Sequence, residues 1–277
     1  MAAIRRTPRH ALTRAVGYAA GWTRPTRLAR LAIARFAQRY RLDLDEAERP
    51  IEDYPSVRAL FTRALKPGMR PIAPGEKVPV SPADGCVSAS GLSTEGQLLQ
   101  VKGVTYGLAD LLADADLARL LQGGAYATVY LSPHDYHRVH APAAGRLKAV
   151  TYVPGDLWPV NPASVASVPG LFALNERLVF DFEGPLGRFA VVMVGATVVG
   201  RLRATFAGVE PFLMRPRYVE RRSLGKGIPV AKGEQIGIFD MGSTVVVCFA
   251  PGAVRLRDFA SGDPVRMGES IAATRER

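Results

Sequence analysis

The chain has 277 residues, 48% of them hydrophobic, enough for one large domain or two smaller ones. Its two cysteines, Cys86 and Cys248, lie far apart in apolar contexts, and its four histidines form no Cys/His cluster; this argues against a structural metal and for free thiols in a reducing compartment. The net charge is +11, but residues 1–42 hold ten arginines and no Asp or Glu, so a nearly neutral body follows a basic arm suited to anionic surfaces, lipid headgroups or nucleic acid.

In chain order, residues 8–22 read as a short helix ending at Trp22, a residue favoured at the lipid–water boundary. Residues 26–41 read as a basic amphipathic helix, with Thr26 as its cap. Leu28, Leu31, Ala32, Phe36 and Tyr40 recur at helical spacing, and Arg27, Arg30, Arg35 and Arg39 fall mostly elsewhere. Such a helix either packs on the core with a solvated arginine face or lies in a membrane interface. The Arg-rich, acid-free start also fits a transit peptide, although the helical pattern runs directly into the globular part. Ser56 opens a third helical stretch over 57–65, which Pro67 and Gly68 end. The best apolar run, Phe189 to Val199, is about half of the roughly 20 residues that a spanning helix needs.

From about residue 78 the pattern changes to short apolar runs cut by Gly and Pro. Strands are expected at 78–80, 97–101, 125–131, 147–153, 178–182, 189–199, 201–207 and 244–250, with one helical piece over 107–121. The fold class is therefore α+β: a strand-rich, largely antiparallel, sandwich- or barrel-like body behind N-terminal amphipathic helices. We divide the chain into a basic helical membrane-association segment, 1–68, and a catalytic domain, 69–277.

Three segments carry reactive residue types. Gly242-Ser243 precedes a β-branched run near the C-terminus. Attack of the serine hydroxyl on the Gly242 carbonyl needs a base, a permissive backbone and an oxyanion stabiliser, and glycine removes a Cβ from the path. Alone, Gly-Ser-Thr is an ordinary turn entering a strand. Ser81-Pro82-Ala83-Asp84-Gly85 offers a carboxylate, which either orients a base or closes its own turn. Tyr130 to His140 holds His134, His137 and His140. His140 is either a base for Ser243 or a hydrogen-bonded histidine at a strand end. His137 shares a face with it on a helical turn and faces away from it on an extended chain.

Six ordered segments together resemble the bacterial phosphatidylserine decarboxylases, from about residue 13 to about residue 253. They are Ser-Pro-Ala-Asp-Gly (81–85), Tyr-Leu-Ser-Pro-His-Asp-Tyr-His-Arg-Val-His (130–140), Tyr-Val-Pro-Gly-Asp-Leu-Trp-Pro-Val-Asn (152–161), Leu-Phe-Ala-Leu-Asn-Glu-Arg (171–177), Val-Gly-Ala-Thr-Val-Val-Gly (194–200) and Lys-Gly-Glu-Gln-Ile-Gly-Ile-Phe-Asp-Met-Gly-Ser-Thr (232–244). The chain departs from the family pattern at His134 (usually arginine), Ala141 (commonly methionine) and Met241 (frequently leucine).

The resemblance implies self-cleavage between Gly242 and Ser243 by an Asp84–His140–Ser243 triad. It implies a covalent pyruvoyl cofactor made from Ser243, which forms a Schiff base with phosphatidylserine and releases phosphatidylethanolamine. His137 is then the proton donor to the substrate, with Tyr130 assisting. The implied partners are an anionic membrane surface, the larger and smaller chains of the same precursor, and a second copy in a homodimer. The implied site is the cytoplasmic side of the inner membrane, peripherally bound, with no metal and no nucleic acid. Three rivals remain: a pyruvoyl decarboxylase of soluble amino acids, a Ser-His-Asp hydrolase, and a nucleic-acid-binding protein. Met-Gly-Ser-Thr-Val lacks the Gly-x-Ser-x-Gly elbow of many such hydrolases, and the nearly neutral body disfavours nucleic acid.

Overall fold

Runs such as Val191-Val192-Met193-Val194 and Val245-Val246-Val247 are buried at every consecutive position, which requires cover on both faces of the sheet that holds them. In the computed structural model, which describes residues 9–101, 103–197, 202–206, 217–240 and 243–273, these runs form the middle of an eight-stranded antiparallel sheet. The strands are β1 (Gly85–Leu92), β2 (Gln97–Val101), β3 (Val104–Gly107), β4 (Ala125–Leu131), β5 (Arg138–His140), β6 (Gly145–Val153) and β7 (Arg177–Gly184). They continue as β8 (Gly187–Val194), β9 (Leu202–Ala204), β10 (Glu220–Val230), β11 (Gln235–Phe239), β12 (Ser243–Phe249) and β13 (Pro264–Val265). The large sheet has the order β10-β6-β7-β8-β12-β4-β1-β13; β5-β11-β9 form a smaller sheet and β2-β3 a hairpin. The large sheet has two edges, β10 and β13, so the body is not a closed barrel.

The helices are α1 (Arg9–Ala20), α2 (Thr26–Tyr40), α3 (Val57–Phe61), α4 (Leu108–Leu112), α5 (Ala115–Leu121), α6 (Pro162–Val165) and α7 (Leu171–Leu174). One apolar core joins both sheets to α4, α5 and α7, for example through Phe180, Phe189, Val246, Leu111, Leu117, Phe172, Ile236 and Phe239. The buried Arg177 guanidinium donates to the carbonyls of Asp110, Leu111, Ala173 and Asn175, and so pins α4 and α7 to β7. Burial pushes this guanidinium down to about 10. A second, smaller core holds Ile33, Ala37, Tyr54 and Leu60, and joins α2 to α3.

Several expectations need correction. Thr26 is the first helical residue of α2, and Pro25 precedes it without a side-chain cap. The buried stripe of α2 is Ala29, Ile33 and Ala37, and Leu28 and Leu31 are exposed. Ser56 does cap α3, accepting from the Ala59 amide, but the helix stops at Phe61 and Thr62 bonds back to the Arg58 carbonyl. The 107–121 piece is two helices, because Ala113 turns left-handed at φ 50° and Asp114 caps a fresh start. Residues 78–80 contribute only an isolated bridge, Val80 to Ser270. Strand β10 was not expected: its Gly-Lys-Gly interrupts the alternation, and the pairing with β6 shifts register between Ser223 and Ile228.

Candidate active site

The site lies where the chain leaves the small sheet and enters the large one. In register, Ser243 of β12 stands opposite Leu131 of β4. At the other end, the Phe239 amide donates to the His137 carbonyl at 3.0 Å. Phe239 and Ser243 bracket the Met241-Gly242 step, and both are therefore tied to the strand–turn–strand that carries the histidines. Met241, Gly242 and the Ser243 side chain lie outside the described residues.

The intervening turn is closed by its own polar groups. The Asp135 amide donates to the Ser132 carbonyl at 2.9 Å, and the Ser132 amide donates to Asp135 Oδ2 at 2.7 Å. This reversal is a turn followed by the short strand β5, so His137 and His140 are on extended chain. Asp84 is drawn in from a third direction. The His140 amide donates to the Pro82 carbonyl at 2.8 Å. Gly85 has φ 149°, and a Cβ there would collide with the Tyr130 carbonyl oxygen, so only glycine lets β1 start so close to β4.

The two inner histidines differ. His140 Nδ1 lies 2.8 Å from the Gly233 carbonyl oxygen, which can only accept, so Nδ1 carries the proton. Nε2 is then the acceptor, and the Tyr136 hydroxyl donates to it at 3.0 Å. Burial pushes the His140 imidazole below its ordinary range; the Gly233 bond and the nearby Asp84 charge oppose this. Burial also pushes the Tyr136 phenol up to about 12, which keeps it a neutral donor. His137 is fully buried, with its ring against Phe61 at 3.9 Å between centroids. Its Nδ1 donates to the Asp135 carbonyl at 2.8 Å, while Nε2 is buried with no partner among the described residues. Burial pushes this imidazole down to about 3.

Asp84 is near enough for its charge to be felt at His140, but no hydrogen bond joins the two side chains. Its carboxylate is held instead by the Arg70 guanidinium, with Nε at 2.9 Å from Oδ1 and Nη2 at 2.5 Å from Oδ2, and by the Met267 amide at 2.8 Å. It does not close its own turn; Ser81 does that, through its hydroxyl to the Ala83 carbonyl. Tyr130 is half-buried between Cys86 and Thr244 on the neighbouring strands, and burial raises its phenol. His134 is mostly exposed and pairs with Asp135 at 3.4 Å. Cys86 and Cys248 are free thiols.

Sequence reasoning missed Arg70, Tyr136, Gly233 and Met267. Tyr136 and Gly233 stood inside quoted motifs without a role. Arg70 and Met267 reach Asp84 only through tertiary packing. Sequence reasoning also missed Arg203, whose Nε donates to the buried Asp240 at 3.0 Å, three residues before Ser243.

Buried histidines beside a matched carboxylate at one sheet junction form a candidate acid–base site, and the relatives make the chain a carboxy-lyase. The chain belongs to the phosphatidylserine decarboxylase family, whose family model matches residues 57–273. It is 50% identical to the phosphatidylserine decarboxylase proenzyme of Anaeromyxobacter sp. (strain K), over 98% of this chain and 96% of that protein. The proenzymes of Myxococcus xanthus and Vibrio cholerae are each 45% identical, over 95% and 96% of this chain and 94% and 95% of those proteins.

Proposed function

We propose that the chain cleaves itself between Gly242 and Ser243, keeps the modified Ser243 as a pyruvoyl group, and decarboxylates phosphatidylserine to phosphatidylethanolamine. The observation that carries this reading is the double tether of Phe239 and Ser243 to the histidine segment. It brings the Ser243 backbone and two buried imidazoles to one junction.

In cleavage, Ser243 Oγ bonds to the Gly242 carbonyl carbon as the Ser243 amide nitrogen leaves, giving an ester. His140 Nε2, unprotonated at rest, takes the hydroxyl proton once Tyr136 yields its place or relays it. The Asp84 charge stabilises the imidazolium that forms. Loss of the Ser243 Hα then breaks the ester Cβ–O bond and releases Gly242 as a carboxylate. Water replaces nitrogen at Ser243 Cα, and ammonia departs. The products are a 242-residue chain and a 35-residue chain. They stay together because the smaller one opens with β12, paired on both sides by β8 and β4.

The residues present suit a reactive carbonyl at position 243. His137 Nε2 is a buried nitrogen with no hydrogen-bond partner among the described residues. A pyruvoyl group supplies an electrophilic carbonyl that takes up the electrons left by departing carbon dioxide. His137 rests with its Nε2 lone pair free, so it delivers a proton to the substrate only after collecting one. The half-buried Tyr130 is the second proton-carrying side chain at this junction.

The arm supports a lipid substrate. Among the described residues no helix is long and apolar enough to cross a membrane. Yet Tyr18, Trp22, Leu28 and Leu31 are 73%, 56%, 61% and 54% exposed, beside the exposed Arg14, Arg24, Arg27, Arg30 and Arg35. Exposed apolar side chains mixed with arginines suit peripheral docking on an anionic leaflet, at about 1 kcal/mol per arginine near the surface. A soluble amino-acid substrate gives this surface no purpose.

The test is carbon dioxide release from phosphatidylserine vesicles by purified wild-type and Ser243→Ala protein. Release by the wild type alone supports the reading. Release from a water-soluble amino acid, with none from vesicles, supports the rival.

A further inference from the structure

We propose that Arg70 is the positioning residue of the self-cleavage carboxylate, clamping Asp84 in place beside His140 together with the Met267 amide. The proposal rests on the self-cleavage reading above and adds to it a residue outside every motif that led there.

A buried carboxylate is tolerated only when its lone pairs are filled and its charge is matched. Asp84 is 6% exposed. Arg70 approaches it side-on, Nε to Oδ1 at 2.9 Å and Nη2 to Oδ2 at 2.5 Å, the two-pronged geometry that a lysine cannot reproduce. The fork is itself anchored: Nη2 also donates to Glu46 Oε2 at 2.6 Å, and Nη1 donates to the Met69 carbonyl at 2.8 Å. Glu46 in turn pairs with Arg266 at 3.4 Å. The Arg70 and Asp84 side chains are only 7% and 8% exposed, so water does not substitute for either partner.

The arrangement divides the work of a Ser-His-Asp triad. In that template the carboxylate accepts from His Nδ1 and so orients the ring. Here the Gly233 carbonyl accepts from His140 Nδ1 and sets the ring. Asp84 is left to act on His140 by charge alone, and charge acts usefully only from a fixed place. Arg70 and Met267 fix it. They come from opposite sides of the cleavage point: Arg70 lies in the larger product and Met267 in the smaller.

The experiment follows self-cleavage by intact mass over time in freshly purified full-length Arg70→Ala, Arg70→Lys, Asp84→Asn and Arg70→Ala/Asp84→Asn proteins. Each is checked for folding by thermal melting. We expect Arg70→Ala to cleave about 100-fold more slowly and Arg70→Lys about 10-fold more slowly, since lysine keeps the charge but not the fork. Millimolar guanidinium chloride, against a sodium chloride control of equal ionic strength, restores cleavage in Arg70→Ala and has no effect on the double variant. A role in global folding gives no such rescue. If Arg70→Ala fails to fold, the folded Arg70→Lys protein carries the test. Wild-type cleavage by a folded Arg70→Ala or Arg70→Lys protein overturns the proposal, as does an Arg70→Ala protein that guanidinium leaves slow. Wild-type cleavage by Asp84→Asn instead removes the assignment of Asp84 on which the proposal stands, a result that the Arg70 variants alone cannot produce.

Discussion

The body and the arm treat charge in opposite ways. In the body, three buried aspartates are each matched by arginine: Asp84 by Arg70, Asp181 by Arg188 and Arg221, and Asp240 by Arg203. The buried Arg177 is satisfied by four carbonyls. Burial makes each unmatched charge cost several kcal/mol, so these partners fix geometry. In the arm, Arg27, Arg30 and Arg35 are exposed among exposed leucines. The contrast separates a preorganised interior from a surface built to meet something else. The hinge between them is α3, whose Leu60 belongs to the arm's core while Phe61 stacks on His137.

The comparison breaks most sharply at the serine. Ser243→Ala removes the attacking oxygen, so the chain stays a single 277-residue species at all times, read by intact mass. Next is His140→Gln, which removes the base while keeping polar volume; cleavage slows by about 10³-fold, within the usual range for a general base. In the arm, the pair Leu28→Ser and Leu31→Ser leaves the melting temperature unchanged. It weakens binding to phosphatidylserine vesicles by roughly 30- to 1,000-fold, as expected for removing about 1–2 kcal/mol of apolar burial per leucine. Unchanged co-sedimentation breaks the assignment of this face to a membrane.

The smallest effect is on stability against pH. His137 titrates near 3 in the folded protein and near its ordinary value when unfolded. Its folded value is depressed, so the unfolded chain binds more protons between those limits. Stability is therefore fully present above about pH 6.5 and falls as the pH is lowered toward 3. At pH 5 the loss from His137 is about 2 kcal/mol, and His140 adds to it in the same direction. Thermal melting of wild type and His137→Asn at pH 7 and pH 5 checks this: the variant loses less.

The reach of the sequence follows the same division. The long strands β4, β6, β7, β8 and β12 were legible because they are rich in β-branched, aromatic and aliphatic residues and bounded by turn signals. Strands β1, β5, β10 and β11 were not, because they are short, glycine-containing or at an edge, and are set by their pairing partners. At the site, Asp84, His137, His140 and Ser243 were named from their motifs. What they touch was not legible. His140 finds Gly233, 93 residues away, and Asp84 finds Met267, 183 residues away. In the arm the helix was legible, but which of its faces packs on the core was left open. Alanines at 29 and 37 pack closest to the core because they are small, and this turns the larger Leu28 and Leu31 outward.

Intact mass of protein that is actively releasing carbon dioxide from phosphatidylserine tests the central claim most directly. The account predicts two species, residues 1–242 and 243–277, with the smaller lighter than an amino-terminal serine requires. A single uncut chain that sustains the same release contradicts it.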